Sequence, residues 1–155
     1  MKDKKYLLAI PLVIWMLIIF LFSSQNAIKS ESLSDSLVST TIDIVVKVTN
    51  IKVNTQKKEK IVDNTRLFVR KTAHFTSYFI LGILAYLIFS NVNLPTKKVI
   101  FYTILLCFIY ACSDEAHQLF SSGRTARILD VLIDTCGSMC ACFIAYHLKK
   151  DKLSV

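Results

Sequence analysis

Long apolar stretches, broken by short polar punctuation, account for most of this chain. Four runs stand out: 6–22 (YLLAIPLVIWMLIIFLF), 73–89 (AHFTSYFILGILAYLIF), 99–120 and 128–148 (ILDVLIDTCGSMCACFIAYHL). Each has the roughly 17–25 residues that an α-helix needs to cross the hydrocarbon layer. In lipid, backbone N–H and C=O groups must pair within their own segment, which selects helices. The pattern therefore predicts an all-α integral membrane protein, a four-transmembrane-helix bundle. The connection between the first two spans, 30–69, reads differently. Leu33, Leu37, Ile44, Val48 and Ile51 recur at three-to-four spacing, an amphipathic helical stripe. A second short helix is expected through 60–69. Such a connection lies in the interface plane or caps the bundle, in either case over the mouth formed by the four spans.

Composition adds little that conflicts. Of 155 residues, 54% are hydrophobic, with three Gly and two Pro, so no flexible linker divides the chain and a single unit over 1–155 is expected. The first run starts from a basic segment, KDKK, as a signal peptide would. It is longer than a signal core, and SSQNA after it offers no small-x-small cleavage site, so an uncleaved anchor is predicted. The net charge is +8. The basic residues flank apolar helices, so nucleic acid is not the expected partner; anionic lipid headgroups and lipid-linked phosphates are. Lys2, Lys4 and Lys5, Lys97 and Lys98, and Lys149, Lys150 and Lys152 all fall on one side of a four-span bundle. The other side holds eleven basic residues, nine of them in the 23–72 connection with five acids, so the raw count of 8 against 11 points the other way. Because short loops and helix ends weigh most, both termini are expected in the cytoplasm of a multi-pass cell-membrane protein. The five cysteines lie in the last two runs, and their odd number argues against a disulfide framework. Cys136 and Cys140 share a helix face, but small apolar packing is the ordinary role of such residues.

The opposite side of the bundle collects unusual polar residues. The first span ends in Ser23, Ser24 and Gln25. The second opens with Arg70, Lys71 and His74. The third ends with Asp114, Glu115, His117 and Gln118. Arg124 and Arg127 follow, and the fourth opens with Asp130 and Asp134. At about 100° per residue, Asp114, His117 and Gln118 share one stripe with Glu115 on its flank, and Arg127, Asp130 and Asp134 share another. Charge facing lipid costs on the order of 3 kcal/mol near a helix centre, so these stripes are expected to face a common cavity. Asp134 lies roughly 9 Å into its run and needs a partner, with Arg124, Arg127 and His117 as candidates. Taken singly, the arginines could be interfacial anchors, and Asp114 with His117 could be a structural hydrogen bond. Two chemistries suit the set. Ser24, Gln25, Arg70, Lys71, Glu115, Gln118, Arg124, Arg127 and Asp130 suit headgroup binding, with bidentate arginine–phosphate contacts. His74, Asp114, His117 and Asp134 suit acid–base catalysis on a polar lipid, with His117 as base oriented by Asp114. Imidazole and carboxylate together also suit zinc or manganese. The chain lacks H-E-x-x-H and any pair of histidines at ligand spacing, and no metal or cofactor is expected.

Phe22-Ser23-Ser24-Gln25, Arg70-Lys71-Thr72-Ala73-His74-Phe75 with Tyr78, Ser113-Asp114-Glu115-Ala116-His117-Gln118 with Phe120, and Gly123-Arg124, Asp130, Asp134 and Gly137 form a series along nearly the whole chain. In this series the chain resembles the VanZ-like family of small membrane proteins, named for a teicoplanin-resistance protein. It departs at Ser121-Ser122, where a proline is usual, and at Thr76-Ser77, where an acidic residue often stands. The resemblance implies a contribution to resistance against teicoplanin-type glycopeptide antibiotics or to cell-envelope handling, with lipid-linked cell-wall precursors as partners. It implies a phenotype rather than a reaction.

Overall fold

The computed structural model describes residues 3–23, 55–119 and 127–151, together with Thr40 and Ile44. The described elements are, in chain order, the helices α1 (Asp3–Ser23), α2 (Thr55–Ser90), α3 (Thr96–Gln118) and α4 (Ile128–Asp151). No strand occurs among the described residues. The predicted amphipathic stripe of 30–53 lies outside the described residues, apart from Thr40 and Ile44. Its continuation does not. The expected separate helix through 60–69 runs without a break into the second span, making α2 a single helix of 36 residues. At 1.5 Å per residue that is about 54 Å, well beyond the roughly 30 Å hydrocarbon layer. The chemical reason is local: no Gly or Pro interrupts the chain between Thr55 and Leu81. The hydroxyls of Thr65 and Thr72 fold back onto the carbonyls of Ile61 and Phe68 at 2.8 and 2.9 Å, so they do not compete with the helix.

Three stretches are long and apolar enough to cross a membrane: Lys60–Ser90, Thr96–Gln118 and Ile128–Lys149. Ala9–Ser23 of α1 is a shorter apolar one. Large apolar side chains point outward on every helix, among them Phe22, Phe101, Ile109, Leu129 and Phe143, each at least 58% exposed. A continuous apolar coat of this kind fits a membrane protein.

α2 is the hub. It packs against the other three helices, most extensively against α4, whereas α1 touches only α2 and α3 among the described elements. Because α3 returns the chain, α2 and α4 run parallel. Two glycines let them approach. A Cβ on Gly82 would sit 2.9 Å from the Cβ of Ala141 and from the Cα of Ser138, and one on Gly137 would collide with the carbonyl oxygen of Phe75. Around this contact Tyr78, Leu81, Ala85, Cys107 and Ala111 form the buried core, with Ile19 from α1. A second cluster, Tyr86, Val99 and Cys142, closes the end near the α2–α3 turn. All five cysteines are free thiols. Two hydrogen bonds tie α1 to the rest: the Trp15 indole donates to the Ser77 carbonyl at 2.9 Å, and the Tyr110 hydroxyl donates to the Met16 carbonyl at 2.6 Å.

Candidate functional site

The parallel packing of α2 on α4 sets up the polar end of the molecule. Arg70, His74 and Tyr78 follow one another at four-residue steps on α2, and Asp130 and Asp134 do the same on α4. In a parallel pair, equal steps stay in register. The outer step pairs Arg70 Nη2 with Asp130 Oδ2 at 3.5 Å. The inner step brings His74 Nδ1 to 3.4 Å from Asp134 Oδ1. Helix α3 contributes Asp114 from its last turns. One ligating atom each from His74, Asp114 and Asp134 lie within 4.8 Å of one another. The Tyr78 hydroxyl stands in the field of both aspartates.

This interior is rich in buried carboxylates. Asp114, Glu115, Asp130 and Asp134 are all buried, Asp134 completely. Asp114 Oδ1, Glu115 Oε1, both oxygens of Asp134 and the Tyr78 hydroxyl make no hydrogen bond among the described residues. Buried polar atoms are nearly always satisfied in native proteins, so a cluster of unsatisfied ones asks for a function. The remaining oxygens are held. Gln118 Nε2 donates to Asp114 Oδ2 at 3.3 Å, and the Arg127 backbone N–H donates to Glu115 Oε2 at 2.9 Å.

A cavity of about 370 Å³ opens onto this group between α1, α2 and α3. Trp15, Ile18, Ile19 and Phe22 form its apolar wall, Arg66 and Arg70 lie along one side, and His74, Tyr78 and Asp114 also line it. Arg66 also reaches Asp63 at 3.3 Å.

The structure brings together Arg70, His74, Asp114, Glu115, Gln118, Asp130 and Asp134 of the sequence-predicted set. Ser24, Gln25 and Arg124 lie outside the described residues. Two expected pairings are corrected. The partner of Asp134 is His74, not Arg127 or His117, because the parallel register of α2 and α4 puts the imidazole one turn below Arg70. Asp114 does not orient His117; it is held by Gln118 one turn on, while the His117 ring packs on Phe20 of α1 with centroids 4.5 Å apart. Asp130 faces α2 and takes Arg70, while Arg127 engages the site through its backbone and leaves an exposed side chain. Lys71 is exposed and does not line the cavity. Arg66 and Tyr78 were missing from the predicted site. The signal for Arg66 was its position four residues before Arg70, visible only once 60–69 is read as the same helix.

An all-helical bundle with an apolar coat and a buried ionisable cluster beside a pocket at one end fits a small membrane protein. The family model described as VanZ/LLP1 matches residues 8–149, and the chain belongs to that family. No curated protein and no solved structure matches it.

Proposed function

We propose that the cavity between α1, α2 and α3 binds the anionic headgroup of a membrane lipid or lipid-linked cell-wall precursor. Its shape carries the reading: an apolar wall of Trp15, Ile18, Ile19 and Phe22 faces a side lined by Arg66 and Arg70. Acyl or prenyl carbon suits the first, phosphate oxygen the second. Arg70 is positioned by Asp130, so its guanidinium is presented rather than searched for. With both termini in the cytoplasm, the cavity opens toward the outer leaflet. There lipoglycopeptides meet their targets, and family membership supports a contribution to teicoplanin-type resistance or envelope handling. Native mass spectrometry of the detergent-purified protein tests this. Phosphatidylglycerol and undecaprenyl phosphate should bind at least about tenfold more tightly than phosphatidylcholine. Arg70→Ala should abolish that preference and Arg70→Lys should restore it only in part. Equal binding of the zwitterionic lipid, or an unchanged preference in Arg70→Ala, overturns the reading.

The His74–Asp134 contact favours a second reading on the same pocket, hydrolysis or group transfer on a polar lipid. His74 lines the cavity and its Nδ1 faces a carboxylate, as a general base requires. Release of a labelled headgroup from vesicles, lost in His74→Gln, is the expected outcome. Binding without turnover discards this reading and leaves the first intact.

A further inference from the structure

We infer that His74, Asp114 and Asp134 form a binding site for one divalent transition-metal ion of the zinc or manganese class. This inference does not depend on the headgroup reading, although the two sites share a cavity. The sequence offered imidazole and carboxylate donors at His74, Asp114, His117 and Asp134, and the expectation of no metal rested on the lack of a ligand-spacing motif. The three donors come from three different helices, so no linear motif encodes them.

Three observations converge. The first is geometric: one donor atom from each residue lies within 4.8 Å of the other two. Two donors each about 2.1 Å from a tetrahedral ion stand about 3.4 Å apart. His74 Nδ1 and Asp134 Oδ1 are 3.4 Å apart. The second is the state of the oxygens. Asp134 is completely buried, and neither of its oxygens makes a hydrogen bond. The contact with His74 has the distance of an ion pair without the alignment of a hydrogen bond, as expected for two ligands aimed at a third body. Asp114 has the same vacancy at Oδ1, while Gln118 fixes its other oxygen from behind. Metal-ligating carboxylates are characteristically held by such an outer partner. The third is charge. Two buried carboxylates share the centre with one imidazole, and Arg70, one turn away on α2, is engaged by Asp130. A divalent cation offsets both carboxylates in a medium where an uncompensated charge is expensive.

One imidazole and two carboxylates is a donor set for zinc, manganese or iron rather than for soft copper sites. Three protein ligands leave a coordination position free, the pattern of sites that bind water or substrate. His74 and Asp114 are part of the cavity lining, so an ion held there would be reached by water or substrate from the cavity.

The test is metal loading of the full-length protein in detergent. After chelator treatment, the protein is equilibrated with Zn²⁺ or Mn²⁺, desalted and analysed by plasma mass spectrometry. About one tightly held ion per chain is expected in the wild type. His74→Gln and Asp134→Asn should each lose it, and Glu115→Gln should retain it. Gln118→Ala should weaken binding by on the order of 10–100-fold. Should a variant fail to fold, X-ray absorption on the loaded wild type decides instead: one imidazole with oxygen ligands supports the site, and thiolate or multiple-imidazole ligation overturns it. A wild type that retains no ion overturns it as well, as does retention in both His74→Gln and Asp134→Asn. Arg70→Ala should keep the ion while losing headgroup preference. A wild type that shows headgroup preference but retains no ion overturns the metal site alone, and one that retains the ion but shows no headgroup preference overturns the headgroup reading alone.

Discussion

Asp134 is the residue on which the interior turns. Among the described residues, this carboxylate with no exposed surface and no hydrogen bond has His74 as its charged neighbour at ion-pair range. Breaking one side of a buried pair leaves the other uncompensated, at a typical cost of about 3–5 kcal/mol, whereas replacing both sides by apolar groups is often neutral. His74→Leu alone should therefore destabilise the protein by several kcal/mol. The double variant His74→Leu, Asp134→Leu should recover most of that loss. Thermal unfolding in detergent, read as a double-mutant cycle without added metal, measures it; additive losses would remove the pairing from the account. Tyr78 makes a contrasting case. Its hydroxyl is buried and unsatisfied, so Tyr78→Phe removes a group with no hydrogen bond to lose. Stability should hold or rise by about 1 kcal/mol in the ligand-free protein. A fall in lipid or metal affinity in the same variant would locate the hydroxyl in the binding step.

At the scale of helices, the α2–α4 contact depends on the absence of side chains. A Cβ at Gly137 meets the backbone carbonyl of Phe75, which cannot rotate away. Gly137→Ala should cost about 1–3 kcal/mol through helix separation, despite the better helix propensity of alanine. Met139→Ala, on an outward residue of the same helix, should change stability by no more than about 0.5 kcal/mol. Detergent-resistance assays on the two variants side by side make the comparison. The helices themselves were legible in the sequence because length and apolarity act locally. The start of α2 was misread because hydropathy changes near Ala73, and a polarity change does not end a helix that lacks a breaker. The polar end of the bundle was legible too, since Asp114, Asp130 and Asp134 stand at the matching ends of their runs. Their partners were not. Whether Asp134 meets His74 or His117 depends on the register and rotation of one helix against another, and side-chain periodicity within a helix carries neither. The paired steps Arg70–His74 and Asp130–Asp134 held that information, but only for a reader who already knew that α2 and α4 run parallel in close contact.

The whole molecule has two unlike ends. One gathers the ionisable cluster and the cavity, with the polar first turns of α2 projecting beyond it. The other carries lysines: Lys97 and Lys98 open α3, and Lys149 near the end of α4 reaches the Ser90 carbonyl at 3.4 Å across the α2–α3 turn. Lysines at the ends of apolar spans and in short turns favour the cytoplasmic side during insertion. The lysine end should therefore face the cytoplasm and the cavity end the outside. A fluorescent protein fused after Val155 should light up, and alkaline phosphatase inserted near Thr55 should be active. Adding positive charge to the cavity end tests the cause as well as the outcome. Lysines placed beside Ser23 and at the start of α4 should lower both reporter signals by opposing the lysines of the far end. If the phosphatase is inactive in the unmodified protein, the cavity faces the cytoplasm, and its ligand must be sought among inner-leaflet lipids.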